Sequence, residues 1–138
     1  MVDLDDVELA ATRIGPWVQR TPLVTLRGSD VTLKAECLQP SGSFKLRGAF
    51  NSLLQLTDEE RTRGVVAHSS GNHAIAVAMA AAELGIPATV VMPTDAPAIK
   101  RRWTAALGAT VETVGSASSE RTARAAELAA ARNLVVVE

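Results

Sequence analysis

Apolar and polar residues alternate in blocks through the second half of the chain. Short Val-rich runs predict strands over residues 65–68, 88–92, 110–114 and 134–137. The segments between them have helical composition and predict helices over residues 74–84, 97–107 and 118–132. Strands and helices that alternate through short connections indicate a parallel sheet with helices packed against it. The apolar runs have the composition of strands that are covered on both faces.

The first half of the chain is less regular. Its pattern predicts a helix that is capped by Asp5 or Asp6 and ended by Gly15-Pro16, and an extended segment over residues 20–23. Alternation over residues 31–37 predicts a half-buried strand with Cys37 on its apolar face, most simply as a core thiol. The pattern further predicts a helix capped by Ser43 that runs to about Leu56, and a short helix over residues 57–63.

Composition indicates a single globular domain with no unusual charge. The chain has 138 residues, and its 14 basic side chains are balanced by 15 acidic ones. No basic field points to nucleic acid or a membrane surface as a partner. The single cysteine excludes an intrachain disulfide and fits a reducing cytosol. The N-terminus is acidic and has no apolar signal segment, and no apolar stretch is long enough to span a bilayer. We therefore expect a cytoplasmic protein.

Lys45 stands in an unusual place for a lysine. It follows a Gly/Ser loop and falls in the first turn of a predicted helix, within residues 41–49 (Ser-Gly-Ser-Phe-Lys-Leu-Arg-Gly-Ala). The positive end of the helix dipole disfavours a cation there. The neutral, nucleophilic form of the amine is therefore favoured relative to the charged form. The alternative is a solvated lysine at a fraying helix start, and the residue taken alone favours this alternative.

A second polar stretch, residues 68–73 (His-Ser-Ser-Gly-Asn-His), follows one predicted strand and opens a helix. In parallel sheets, ligands bind at the carboxyl ends of strands, and free N–H groups at a helix start suit a carboxylate or a phosphate. Gly71 permits close approach of the backbone to a ligand. The alternative is ordinary capping of the helix by Ser70 or Asn72.

Other site chemistries find no support in the sequence. The two histidines are five residues apart with no cysteine beside them and no HExxH pattern, so we predict no metal site. The hydrolase elbow GxSxG is absent, as are the nucleotide-binding patterns GxGxxG and GxxxxGK[ST]. The hypothesis that the chain is a plain α/β nucleotide-binding domain would rest only on the alternation of strands and helices.

Together, the two stretches resemble the pyridoxal-phosphate enzymes of fold type II, and most closely the serine/threonine dehydratases and serine racemases. Residues 20–23 (Arg-Thr-Pro-Leu), 34–42 and 85–88 agree with this resemblance. It implies an α/β fold, a three-layer parallel sheet with flanking helices like that of the tryptophan synthase β chain. Members of the family are more than twice as long. The resemblance therefore implies a truncated fold, with residues 1–50 as the N-terminal part of the large domain, residues 51–138 as the small α/β domain, and the C-terminal half absent.

The resemblance also implies roles for individual residues. Lys45 would hold pyridoxal 5'-phosphate as a Schiff base and move the substrate's α proton, Phe44 would pack on the ring, and Asn72 would bond the ring's 3-oxygen. The substrate carboxylate would lie on the loop formed by Ser69, Ser70, Gly71, Asn72 and His73. Ser70 would be the second acid/base on the face opposite Lys45. Arg121 falls where serine racemases have a carboxylate-binding arginine, and its alternative role is that of a solvated helix arginine.

The chemistry implied by the resemblance is β-elimination from serine or threonine, which gives a 2-oxo acid and ammonia. Racemisation through Ser70 is the alternative on the same path, and a non-catalytic small domain that binds an amino acid or a partner chain is the alternative of another class. The family usually has Gln where this chain has Ile75. The family's phosphate loop lies beyond Glu138, so we expect the isolated chain to bind the cofactor poorly and turn over little. The resemblance also allows a homodimer.

Overall fold

A computed structural model describes all 138 residues. Six helices and six strands make up the fold. The helices are α1 (Leu4–Ile14), α2 (Lys45–Leu53), α3 (Asp58–Arg63), α4 (Asn72–Leu84), α5 (Ala98–Ala106) and α6 (Ser118–Arg132). The strands are β1 (Leu23–Thr25), β2 (Thr32–Lys34), β3 (Val65–His68), β4 (Ala88–Pro93), β5 (Thr110–Val114) and β6 (Val135–Val136).

The main sheet has four strands in the order β5-β4-β3-β6, and every neighbouring pair is parallel. The predicted parallel sheet with flanking helices is therefore confirmed. Its two central strands, β3 and β4, are almost fully buried, whereas β5 and β6 at the edges are partly exposed. All four carboxyl ends lie at one edge of the sheet, because parallel strands share a direction. Helix α4 begins at that edge, after β3.

Alternate residues of the central strands serve two separate layers of the core. Val66 and Val91 pack with Ala125 and Leu128 of α6 on one face. On the other face, side chains of β3 and β4 pack against α4, which also contacts α2. This alternation follows from the period of two in a strand. The result is a three-layer arrangement, helix–sheet–helix, with α2 outside α4. No helix combines the length and apolar character needed to cross a membrane.

The first helix is capped by Asp3, not by Asp5 or Asp6. Its carboxylate accepts a hydrogen bond from the backbone N–H of Asp6, and the Asp6 side chain accepts one from the N–H of Asp3. This reciprocal pair satisfies two N–H groups that have no partner inside the helix. Three aspartates within four positions, Asp3, Asp5 and Asp6, offer alternative caps, and the sequence alone does not rank them.

The predicted half-buried strand over residues 31–37 is wrong in its length and its burial. Strand β2 covers three residues only, pairs antiparallel with β1, and all six residues of this pair are exposed. A 3₁₀ turn, Glu36–Leu38, comes after β2 and leaves Cys37 exposed. Cys37 is therefore not a core thiol in this structure. The chain leaves the strand direction there because Glu36 turns inward to bond Arg47 and Thr21.

Candidate functional site

The two polar stretches meet at one cavity of about 680 Å³. It lies at the carboxyl edge of the main sheet, where α2 and α4 begin. The cavity is lined by ten residues, Phe44, Lys45, His68, Ser69, Ser70, Gly71, Asn72, His73, Thr122 and Glu138. Its volume falls in the range of small-molecule sites, about 300–1,000 Å³. Apart from Arg121, all the residues predicted for the site are brought together here.

Lys45 is placed at the cavity by the apolar face of its own helix. Leu46, Ala49, Phe50 and Leu53 are buried in the core at the spacing of a helical stripe. Lys45 lies off this stripe, is exposed, and takes part in no ion pair. Its Nζ lies 5.4 Å from the centre of the Phe44 ring, within cation–π distance. The amine is thus held over an aromatic face and open to the cavity.

The expected capping of α2 by Ser43 does not occur. Helix α2 begins at Lys45, and no side chain bonds to its first N–H groups. Phe44 before it already has helical backbone angles, so the segment has no extended capping residue. The Ser43 hydroxyl is buried without a hydrogen-bond partner. The start of α2 is therefore held by its neighbours and not by a local cap.

A polar cluster fixes the segments on either side of Lys45. Arg47 bonds Glu36 through two nitrogens, at 2.8 Å from Nε to Oε2 and 2.7 Å from Nη2 to Oε1. Thr21 donates its hydroxyl to the same carboxylate at 2.5 Å. The buried Gln39 side chain bonds both the N–H and the carbonyl of Gln19. A bidentate Arg–carboxylate pair fixes the orientation of the two side chains as well as their distance. These bonds connect α2 and the loop before Lys45 to the segment that contains Gln19 and Thr21.

This cluster predicts an acid-sensitive stability. Hydrogen bonds from Arg47, above all, lower the pKa of Glu36 to about 2, although burial opposes the shift. A carboxyl group with a lowered pKa stabilises the fold above its usual pKa of 4.5, and this stabilisation is lost as the pH falls towards 2. After allowance for solvent screening we expect a loss of about 2 kcal/mol. Urea unfolding of the natural protein between pH 7 and pH 2 measures it.

Glu36→Gln is the matched variant, because it keeps the shape of the side chain and removes its ionisation, while one of the two acceptor oxygens that face Arg47 becomes an NH₂ donor. The free energy of unfolding of Glu36→Gln should be lower than that of the unaltered protein at pH 7. The part of its pH dependence between pH 4.5 and 2 that comes from this site should be absent. An unchanged pH dependence in Glu36→Gln would show that other groups control acid unfolding.

The loop before α4 is held by hydrogen bonds of Ser69 and not by a side-chain cap from Ser70 or Asn72. Ser69 donates its N–H to the carbonyl of Val91 at 3.0 Å, and its hydroxyl accepts from the N–H of Gly71 at 3.1 Å. Neither Ser70 nor Asn72 caps the helix, which has no side-chain cap. The capping alternative is therefore not what the structure shows. N–H groups in the first turn of α4 remain available to an anion in the cavity.

His73 is partly buried and favours its neutral form. Burial lowers its pKa, a hydrogen bond with the carbonyl of Val137 opposes the shift, and electrostatic interaction with Lys45 and His68 lowers the pKa further. Its Nε2 lies 3.3 Å from that carbonyl oxygen. His73 therefore supplies the cavity with a neutral hydrogen-bonding ring and no full positive charge at neutral pH.

Arg121 does not line the cavity. Its Nη1 donates to the carbonyl of Ser116 at 2.9 Å, in the loop between β5 and α6. The next residue, Thr122, lines the cavity instead. Because Arg121 lies in the first turn of α6, its guanidinium reaches the preceding backbone first. The Arg121 side chain thus makes its hydrogen bond to Ser116 and none to a residue that lines the cavity.

Three lining residues, His68, Thr122 and Glu138, were not assigned a role from the sequence. His68 and Glu138 each lie at or just after the carboxyl end of a parallel strand, β3 or β6. Ligands bind at these ends in parallel sheets, so their positions could have been predicted from the sequence. Thr122 has no such signal in the sequence. Its place depends on how α6 packs across the sheet.

Comparison with known proteins agrees with this geometry. Residues 14–138 match a family model described as "Pyridoxal-phosphate dependent enzyme". The chain is 41% identical to an L-threo-3-hydroxyaspartate ammonia-lyase of Saccharomyces cerevisiae over 96% of its own length and 42% of the relative. It is 41% identical to a catabolic L-threonine dehydratase of Staphylococcus aureus, over 99% of this chain and 42% of the relative.

Among solved structures, maize serine racemase superimposes with a TM-score of 0.94 at 38% identity, over 99% of this chain and 44% of that one. The chain therefore spans about two-fifths of the length of the curated relatives named above. The matched part includes both polar stretches and the whole main sheet.

Proposed function

This chain belongs to the family of pyridoxal-phosphate dependent enzymes, and from that premise we propose that it carries the catalytic lysine and the substrate-binding loop of an ammonia-lyase for β-hydroxy amino acids. One observation carries the proposal. Lys45, a lysine without an ion pair, shares a single cavity with the loop Ser69 to His73, whose helix N–H groups are free to bind an anion. Serine or threonine is the proposed substrate, converted to a 2-oxo acid and ammonia.

The residues in the cavity fit the cofactor of this family. Lys45 supplies the amine that would hold it covalently, Phe44 supplies an aromatic face, and Asn72 supplies an amide that can bond a ring oxygen. The cavity is large enough for a small aromatic ring and an amino acid together. When bound, pyridoxal phosphate supplies an electron sink for the bond broken at the α carbon.

The chain's own residues would then bind the substrate and move its proton. The N–H groups of the α4 start and the hydroxyls of Ser69 and Ser70 bind the substrate carboxylate. Lys45 takes the α proton. The bond from the β carbon to its hydroxyl breaks, and the hydroxyl takes up this proton and leaves as water. One water molecule then replaces the amino group, which leaves as ammonia, so serine gives pyruvate and ammonia with no net change in water.

The names of the relatives support the substrate class. Serine, threonine and 3-hydroxyaspartate, from which those proteins take their names, all carry a hydroxyl on the β carbon. The named reactions also divide between removal of ammonia and racemisation. We therefore propose the β-hydroxy amino acid as the common feature recognised by this site, with elimination as its reaction.

Racemisation is the second candidate, and the position of Ser70 favours it. Ser70 lines the same cavity as Lys45 and is not engaged in capping α4. A hydroxyl on the other side of the α carbon could return the proton with inverted configuration. The two reactions thus share proton removal by Lys45 and differ in the next step, which is loss of the β hydroxyl in one and return of a proton in the other.

The test is an assay of the natural protein with pyridoxal phosphate and L-serine or L-threonine. We expect 2-oxo acid and ammonia in equal amounts. Ser70→Ala should spare elimination more than racemisation, with loss of about 10²-fold or more in the second. Ser69→Ala is the comparison variant: it removes a neighbouring hydroxyl that is proposed to bind the substrate carboxylate, so it should weaken both reactions alike. Equal loss of elimination and racemisation in Ser70→Ala would contradict the proposed acid/base role of Ser70. Absence of both reactions in the unaltered protein would contradict the proposed function and favour a non-catalytic domain that binds an amino acid.

A further inference from the structure

The side chain of Asn72 makes a hydrogen bond with Lys100, from a different helix. Asn72 is the first residue of α4, and Lys100 lies in the first turn of α5. Lys100 Nζ donates to Oδ1 of Asn72. Asn72 lines the cavity and Lys100 does not. The exposed Asn72 side chain therefore lines the cavity and also bonds a cation that is not among the lining residues.

The hydrogen-bonding chemistry of Lys100 determines which edge of the Asn72 amide faces the cavity. A lysine ammonium has three donors and no acceptor, so only the oxygen of the amide can face it. The amide is planar, and its NH₂ group lies on the other edge from its oxygen. We propose that Lys100 is a positioning residue, which holds the Asn72 amide with its NH₂ group towards the cavity.

The backbone around Lys100 is well anchored, as a positioning role requires. Its N–H donates to the carbonyl of Pro97 at 2.9 Å, and its carbonyl accepts from the Thr104 hydroxyl, also at 2.9 Å. Thr104 is fully buried. Arg101 Nη1 donates to the carbonyl of Thr94 at 2.7 Å, which ties the helix start to the loop after β4. The start of α5 is thus fixed relative to the carboxyl edge of the sheet.

The consequence for the site is a stronger and correctly oriented donor. A cation bonded to the amide oxygen polarises the amide, so that its N–H groups bond an anionic oxygen more strongly. Without Lys100 the amide could turn and present its oxygen, which would repel the same anion. The part of the inference that concerns the cofactor rests on the proposed function: the bonded group would then be the ring oxygen of pyridoxal phosphate.

The first test uses the natural protein without cofactor. Lys100→Met keeps the length of the side chain and removes its donors, and Lys100→Arg restores them. Arg102→Met is the matched control, because Arg102 lies on the same helix, is exposed, makes no side-chain hydrogen bond and removes the same charge. In ¹⁵N-edited NMR spectra, the side-chain NH₂ signals of Asn72 should shift in Lys100→Met, return in Lys100→Arg, and stay unchanged in Arg102→Met. Unchanged Asn72 signals in Lys100→Met would overturn the proposal.

The second test measures the visible absorption band of lysine-bound cofactor. In Lys100→Met this band should shift and cofactor affinity should fall about tenfold, the effect of one charge-assisted hydrogen bond. Lys100→Arg should recover most of both, and Arg102→Met should match the unaltered protein. A Lys100→Met protein with an unshifted band and normal affinity would overturn the positioning role and leave the proposed function standing. If the unaltered protein itself shows no band, the proposed function fails, and the NMR result still decides whether Lys100 positions Asn72.

Discussion

Replacing Lys45 with alanine is expected to reduce formation of 2-oxo acid and ammonia by at least about 10³-fold. The amine is the only group in the cavity that can both bind an aldehyde covalently and accept the α proton. The fold should survive the change, because Lys45 is exposed, makes no ion pair, and lies off the buried stripe of α2. The measurements are product formation and the thermal unfolding midpoint of the natural protein.

Borohydride reduction of the cofactor-loaded protein locates the covalent bond. The 138 residues contain three lysines, Lys34, Lys45 and Lys100. We expect the label on Lys45 alone and its loss in Lys45→Ala. Lys45→Arg, which keeps the positive charge, should also lose label and activity, since a guanidinium does not form this bond. Lys34→Arg is the control and should keep both. A label shared among the lysines and unchanged in Lys45→Ala would overturn the catalytic assignment.

Replacing Gly64 with alanine is expected to lower the free energy of unfolding by about 3 kcal/mol or more. Gly64 joins α3 to β3 with φ 93° and ψ −179°, a conformation that is almost confined to glycine. A Cβ atom added there would lie 2.5 Å from the carbonyl oxygen of Pro87. That oxygen accepts the N–H of Val65, and the carbonyl of Gly64 accepts the N–H of Val135. The added atom would therefore push apart the strand starts of β3 and β4.

Gly108→Ala separates the two causes of this destabilisation. Gly108 also has a positive φ, 90°, but a Cβ atom there would meet nothing within 4 Å. It should show the backbone strain alone, about 1–2 kcal/mol. Urea unfolding of both variants gives the comparison. Equal losses in Gly64→Ala and Gly108→Ala would mean that the strand starts move apart at no cost.

Local sequence was a good guide wherever neighbouring residues control the structure. From Thr57 onward, every predicted strand and helix is present, with boundaries that differ by at most about two residues. Thr57 caps α3 together with Glu60 in a reciprocal pair, and Gly85 ends α4 in the left-handed conformation. These signals act over three or four residues, so the sequence contains them in full.

The first half of the chain shows where local patterns fail. Alternation over residues 31–37 is that of a half-buried strand, yet no second layer covers β1 and β2 in this structure. Ser43 has the chemistry of a cap, but the backbone at Phe44 is already helical, so the hydroxyl has no N–H group to accept from. Alternation shows that one face is apolar and does not show what packs against it.

The sequence by itself determined the strand–helix rhythm, the parallel sheet, and two stretches whose residue types suit a covalent cofactor and an anion. Tertiary structure alone decided that these stretches share a cavity, that Arg121 stays outside it, and that Thr122 and Glu138 line it. It also decided the contacts of Glu36 with Arg47 and of Lys100 with Asn72. Residue type fixes which bonds a side chain can make, whereas the partner depends on which segments the packed helices bring within about 3 Å. The two stretches together therefore predict Lys45 as the cofactor lysine, whereas the groups that hold its stretch in place can be identified only in the folded chain.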